Sequence, residues 1–355
     1  MSQPVEANTG AGQSGREQQL LDVLSAFEDA HFNQDAEALE QPLANNVVQH
    51  ADRIVTDHDR SGPDAVALFF AKYYANYKFK HFPVVRAVNA TTNSVYCLWD
   101  DEDVIMKPES FDEELPASGS VTSLSGIWRL VMDDSLKVKD IWFLRQLTRE
   151  EKKHRLHYRP SQLYSDFHAK SLVGPTLDLS EKQIAKMHAA AEAFNEAWRM
   201  GDPSSVHDLL APDCHTVNPI FGDKKASRQE WEETLKDVFR FWQVKSNTVD
   251  IAVTPSSNKA FIWWHVQGVQ KDTKQDNDMY GLNLLVFDAH NDMLIKGKLP
   301  PVPYIVGYRQ PLQSEVEHIF KAGSYQDKLS EVGSPKKGQA PVGEAGQGAQ
   351  AETGA

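Results

Sequence analysis

Three side chains in the second half of this sequence have the types needed to move a proton: His215, His265 and Tyr280. His265 directly follows Trp263 and Trp264 in a segment whose period of two predicts a strand. An imidazole beside aromatic walls titrates near neutrality and serves as a general base, while a tyrosine hydroxyl donates a hydrogen bond to the oxygen on which charge develops. That pairing suits proton transfer. Strand alternation puts His265 on the face of Trp263 and not of Trp264, so an outward orientation stays open. The counterpart of His265 in the first half is Asp100, after Trp99. Trp198, Trp231 and Trp264, with Trp128 in the first half, can wall an apolar ligand or simply fill a core. His154 and His157 have the spacing of a metal-ligand pair, but they lie among Lys152, Lys153, Arg155 and Arg159 and read as a solvated basic helix end. There is no glycine-rich phosphate loop, nucleophile elbow or closed metal-ligand set, so neither cofactor nor metal is expected.

The frame that must hold these residues is written twice. Ala26-Phe27-Glu28-Asp29-Ala30 returns as Ala193-Phe194-Asn195-Glu196-Ala197, and Asp35 returns as Asp202, each 167 positions on. Val95-Tyr96-Cys97-Leu98-Trp99 matches Ala260-Phe261-Ile262-Trp263-Trp264 at 165 positions, and Gly126-Ile127 matches Gly281-Leu282 at 155. A solenoid repeats every 20 to 50 residues or so, so a period this long implies two globular domains. Each copy opens with an amphipathic helix: Leu20, Leu24, Phe27 and Phe32 form the stripe of the first, Met187, Ala190, Phe194 and Trp198 that of the second. A second helix begins near Pro63 and near Arg228, the latter with Ser227 as N-cap.

The period then changes to two. Strands are predicted over 84–88, 94–100, 126–132 and 137–144, and again over 248–253, 260–268, 280–287 and 293–298. Helices followed by antiparallel strands give an α+β class. The expected domains are 16–148 and 181–322, joined by a connector at 149–180 that carries Tyr158-Arg159-Pro160 and Gly174-Pro175. Disordered ends are expected at 1–15 and 323–355.

Composition removes whole classes of function. With 37 Lys and Arg against 50 Asp and Glu, a net charge of −13 disfavours nucleic acid and anionic membrane as partners. No run approaches the roughly 18 apolar residues of a membrane span. Cys97 and Cys214, at non-equivalent places in the two copies, read as reduced thiols of a cytoplasmic protein. The first residues are polar and acidic and read as neither signal nor transit peptide.

The run from Ala193 to Asp202, then Leu209-Leu210-Ala211-Pro212-Asp213-Cys214, then Asn218-Pro219-Ile220-Phe221-Gly222 resembles the opening of a SnoaL-like domain of the nuclear-transport-factor-2-like superfamily, and Gly281 to Asp288 resembles its hairpin. The likeness covers most of 185–300 and, through the repeat, 20–146 more faintly. It implies tandem cones, each a curved sheet wrapped around helices with a pocket inside. Relatives of this kind isomerise steroids or cyclise polyketides with a pocket carboxylate, and others only bind or dimerise. Where the steroid isomerases resemble this chain, their Asp is replaced by Asn218; the cyclase Asp position corresponds to Asn283. In the first copy these places fall near Ala51, with Asp52 beside it, and on Trp128. Asparagine is no useful general base, so both residues are read as ligand-binding. The expectation is a protein that binds a small apolar molecule or a protein partner, its cones paired within the chain through the faces of Trp99 and Trp264. The alternative is an isomerase or cyclase built on His215, His265 and Tyr280 near Asn218 and Asn283.

Overall fold

The computed structural model of the chain describes residues 15–50, 59–106, 121–145, 169–174, 176–218, 222–272, 274, 276–287 and 305–309. Three helices open the first half: α1 (Gly15–Phe32), α2 (Ala36–Glu40) and α3 (Pro63–Asn76). The core stripe of α1 is Leu20, Leu24, Phe27 and His31, while Phe32, expected on it, is 56% exposed. A stripe advancing three or four residues at a time from Phe27 reaches 30 and 31, not 32. Gln34, at φ 57°, stops the helix, and the Asp35 carboxylate accepts from the backbone of Ala38 to start α2.

Six strands follow the order β2-β1-β6-β5-β4-β3: β1 (Leu43–His50), β2 (Arg60–Ser61), β3 (Tyr77–Asn89), β4 (Ser94–Met106), β5 (Val121–Met132) and β6 (Val138–Arg145). Only β1 and β6 pair in parallel. The second half has α4 (Glu181–Met200), α5 (Arg228–Phe241) and strands β7 (Leu210–Asn218), β8 (Gly222–Ser227), β9 (Trp242–Val253), β10 (Lys259–Gln270), β11 (Asp276–Phe287) and β12 (Ile305–Arg309). Their order, β8-β7-β12-β11-β10-β9, repeats that of the first sheet strand for strand, again with one parallel pair, β7 with β12. Ser180 and Ser227 cap α4 and α5 with reciprocal capping boxes, as the sequence led one to expect for Ser227. The class is mixed α+β, with a curved sheet and helices.

The strands are longer than the sequence predicts, β3 by seven residues and β9 by six at their N-terminal ends. The predicted strand at 293–298, the imidazoles His154 and His157, and Ala51 and Asp52 lie outside the described residues. No helix among the described residues is long and apolar enough to cross a membrane.

The two faces of the first sheet have different neighbours. One carries Cys97, Trp99, Trp128, Leu130 and Phe143 against the helices. The other carries Tyr96, Leu98, Ile127, Trp142 and Leu144 against Ala252, Phe261, Leu282 and Leu284 of the second sheet. Sheet-to-sheet contact therefore runs through the neighbours of the expected positions. Trp99 points among the helices of its own half, and Trp263 rather than Trp264 packs at the junction. A one-residue offset along a strand exchanges its faces. At the centre of the junction the Arg129 guanidinium lies 4.4 Å and 4.2 Å from the rings of Trp142 and Trp263 and bonds to Asp250 at 2.8 Å.

Candidate functional site

The first half's interior holds a polar cluster inside an aromatic shell. His31 comes from the last turn of α1. One turn earlier, Glu28 forms a buried ion pair with Arg86 of β3, which fixes the rotation of the helix and turns His31 inward. Tyr74 comes from α3, and its hydroxyl lies 2.9 Å from His31 Nδ1. His81 on β3 and Asp101 on β4 are cross-strand partners, so their side chains share a face, and His81 Nδ1 lies 2.7 Å from Asp101 Oδ1. Asp101 Oδ2 lies 3.8 Å from His31 Nε2, a charge contact beyond hydrogen-bond length. The side chains of His31 and Asp101 are 0% exposed and that of His81 is 1% exposed.

Aromatic rings close the shell. His31 stands edge-on to Trp128 at 5.1 Å and is tilted against Phe79 at 5.0 Å; its ring and that of His81 are 4.7 Å apart. Trp99 lies 5.6 Å from His81, and Phe143 stacks on Trp128 at 4.3 Å. Gly126 permits this arrangement, because a Cβ there would fall on the Trp99 indole.

Electrostatics assign each group a state. Burial drives His31 down to about 4; the Asp101 carboxylate opposes the shift and the His81 ring adds to it. The His31 imidazole is therefore neutral at pH 7. Burial raises the Tyr74 phenol, and Asp101 and Asp35 raise it further, so it stays a hydroxyl. Burial alone would raise Asp101, yet its polar contacts with His31 and His81 outweigh it and hold the carboxyl below its usual range. An ionised carboxylate only accepts, so His81 donates from Nδ1, and the tautomer with its only N–H there carries the lone pair on Nε2. His31 Nε2, His81 Nε2 and Asp101 Oδ2 are buried and have no hydrogen-bond partner among the described residues.

The residues singled out from the sequence are spread over both sheet faces. His265 and Tyr280 are cross-strand partners, as their proposed cooperation requires. They stand on the face turned towards the first half, where Tyr280 meets His50 and Trp142 at 6.2 and 6.5 Å. His265 pairs with Asp278 at a side-chain exposure of 37%, so it is no enclosed base. Asn283 lies between Leu282 and Leu284, both of which pack on the first half, so alternation turns it to the opposite face. One cavity of the second half therefore cannot take His265, Tyr280 and Asn283 together. His215 and Asn218 lie on β7, in register with Lys225 and Gly222. Trp231 is fully buried and meets Phe194 edge-on, and Trp198 is half-buried against Phe239, while Trp264 faces away from the junction that Trp263 lines. Asp100 is a structural anchor: it accepts from Ser125 and from the backbone of Ala169 and Lys170 at 2.7 Å, holding the 3-10 turn Ala169–Leu172. Trp128 does line the cluster, beside His31.

The same frame in the second half lacks these groups. Three residues before the left-handed residue that ends the first helix stands His31 in one half and Trp198 in the other; the left-handed residues are Gln34 and Gly201. Three from the end of the 14-residue helix stand Tyr74 and Phe239. The cross-strand pair His81 and Asp101 corresponds to Asn247 and Val266, two pairs along from Pro83 with Trp99 and from Val249 with Trp264.

No protein-family model matches the chain, and no curated protein matches it. Solved structures similar to it include a candidate polyketide cyclase from Xanthomonas campestris pv. campestris, 19% identical at a TM-score of 0.33, which covers 36% of this chain and 90% of its own. A candidate SnoaL-like polyketide cyclase from Jannaschia sp. CCS1 is 11% identical at a TM-score of 0.34, covering 42% of this chain and 100% of its own. A steroid delta-isomerase from Pseudomonas aeruginosa is 13% identical at 0.29, covering 38% and 85%.

Proposed function

We propose that this protein takes a small, largely apolar carbonyl compound into the interior of its first half and moves a proton on it, in the manner of an isomerase or lyase. The observation that carries this reading is the buried His81–Asp101 pair, whose Nε2 has no partner among the described residues and which is set among aromatic rings. His81 Nε2 takes the proton, and Asp101 holds the ring in the required tautomer and stabilises the imidazolium that forms. In this reading the Tyr74 hydroxyl, 2.9 Å from His31 Nδ1, is the donor of that pair, which leaves the neutral His31 with its N–H on Nε2. That N–H is the donor for the developing oxyanion; a neutral imidazole fills the role without adding charge to the shell. The ionised Asp101 favours uncharged substrates over anionic ones.

In this reading residues 16–148 and 181–322 are two copies of one cone-shaped domain of the SnoaL-like kind, linked by 149–180. Their sheets meet as two separate chains would in a homodimer. The shared strand order supports the duplication. The second copy, with Trp198, Phe239, Asn247 and Val266 in place of the cluster, serves as partner and frame. Burial of both cysteines, Cys97 and Cys214, fits a reducing compartment such as the cytoplasm. Binding without turnover is the second reading, favoured by the enclosure of the cluster.

Native mass spectrometry of the gently ionised protein tests the site. A retained small molecule, or an added aromatic ketone, is expected to be lost in His81→Gln and kept in His265→Gln. Loss in His265→Gln with retention in His81→Gln would overturn the assignment.

A further inference from the structure

His31, His81 and Asp101 each offer one ligand-capable atom, and the three atoms lie within 4.8 Å of one another. His31 Nε2 and Asp101 Oδ2 face each other at 3.8 Å, too far to bond directly, and neither has a hydrogen-bond partner among the described residues. Two donors that share one ion at about 2.0 to 2.2 Å each stand about 3.3 to 3.6 Å apart at a tetrahedral angle, a few tenths of an ångström closer than here. An ionised carboxylate inside an aromatic shell also needs compensation, and buried charges are paired or coordinate metals. The remaining nitrogen of His31 meets the Tyr74 hydroxyl at 2.9 Å, the outer hydrogen bond that orients a metal-bound imidazole.

We propose that His31, His81 and Asp101 form a divalent transition-metal site at the heart of the first half. Two imidazole nitrogens and one carboxylate oxygen suit Zn²⁺, Co²⁺, Fe²⁺ or Mn²⁺ over the hard, all-oxygen cations Ca²⁺ and Mg²⁺. Three protein ligands leave a coordination position for water or for a substrate oxygen, as in catalytic sites rather than closed structural ones. Loading turns His31 to the tautomer that donates from Nδ1 to Tyr74. A loaded site is therefore a distinct state of the cluster, in which His31 Nε2 is a ligand and not a hydrogen-bond donor and His81 is a ligand and not a base.

The full-length protein, stripped with EDTA, is titrated with Zn²⁺ and with Co²⁺. One ion per chain is expected, with a Co²⁺ visible spectrum of a nitrogen-ligated site of four or five ligands and a Tm increase of about 5 °C or more at saturating metal. Both should vanish in His31→Gln and Asp101→Asn, and Tyr74→Phe should weaken affinity by about 10- to 100-fold. Histidine ¹⁵N spectra of the unaltered protein guard against variants that fail to fold: Zn²⁺ must move the His31 and His81 signals. The proposal falls if neither ion changes Tm or spectrum, or if the signals that move are those of His50, His188 or His265. A failure to bind metal leaves proton transfer by His81 standing, because that reading is decided by retention of the organic ligand in His81→Gln.

Discussion

Replacing Asp250 by alanine removes the acceptor on which the junction of the two sheets converges. Its Oδ2 accepts from Arg129 Nη2 at 2.8 Å, Arg129 Nε at 3.1 Å and the Ser94 hydroxyl at 2.6 Å, and its Oδ1 accepts from Asn89 at 2.7 Å and Thr92 at 3.0 Å. The Arg129 guanidinium cannot leave: it is 5% exposed and held between two indoles, and its Nη1 already lacks a partner among the described residues. Breaking a buried pair in this way costs about 3 to 5 kcal/mol, because one charge stays behind uncompensated. At roughly 2 to 4 °C per kcal/mol for a domain of this size, the expected fall in Tm is about 10 °C. Removing both charges, with Arg129→Met and Asp250→Leu together, keeps apolar volume between Trp142 and Trp263 and should recover most of the loss. Urea denaturation of the parent, both single variants and the double variant closes the cycle. An Asp250→Ala cost below about 1 kcal/mol, or a double variant as unstable as the sum of the singles, would refute the argument that the unpaired charge dominates.

Gly126→Ala should cost about 1 to 3 kcal/mol and change tryptophan fluorescence, because the new methyl falls on the Trp99 ring and stands 2.7 Å from the Leu144 carbonyl oxygen; unchanged emission would contradict that packing. With metal chelated, stability should fall on acidification. His31 drops from 6.5 unfolded to about 4 folded, so the unfolded chain binds the extra proton; the stability is complete above about pH 6.5 and lost towards pH 4, a difference of about 3 kcal/mol. His31→Gln should flatten denaturation midpoints over that window, and a parent profile already flat there would count against a neutral buried His31.

Helices before strands and the Ser227 cap were readable because they are local: stripes, caps and alternation repeat over a few residues. The cluster was not, since His31, His81 and Asp101 are separated by 20 to 70 positions and meet only through register and helix docking. His81 and Asp101 fall just outside the strands predicted at 84–88 and 94–100, where Lys78, Lys80 and Pro83 look like loop. Yet Tyr77, Phe79 and His81 alternate as buried positions, which is a strand signal with a histidine on its core face. His31 left a similar trace, an imidazole four residues after Phe27 where the stripe asks for an apolar side chain. His265 drew notice because two tryptophans precede it, but the alternation that sends Trp264 away from the junction leaves His265 in an exposed pair with Asp278.

Proton NMR of a panel of aromatic ketones in D₂O, with catalytic amounts of the protein, reads out whether His81 moves a proton inside the first half. Exchange of α-hydrogens is expected to be lost in His81→Gln, slowed in Asp101→Asn and untouched in His265→Gln, whose exposed contact with Asp278 is worth at most about 1 kcal/mol to stability. Exchange that survives His81→Gln, or that disappears in His265→Gln, would contradict proton transfer by His81.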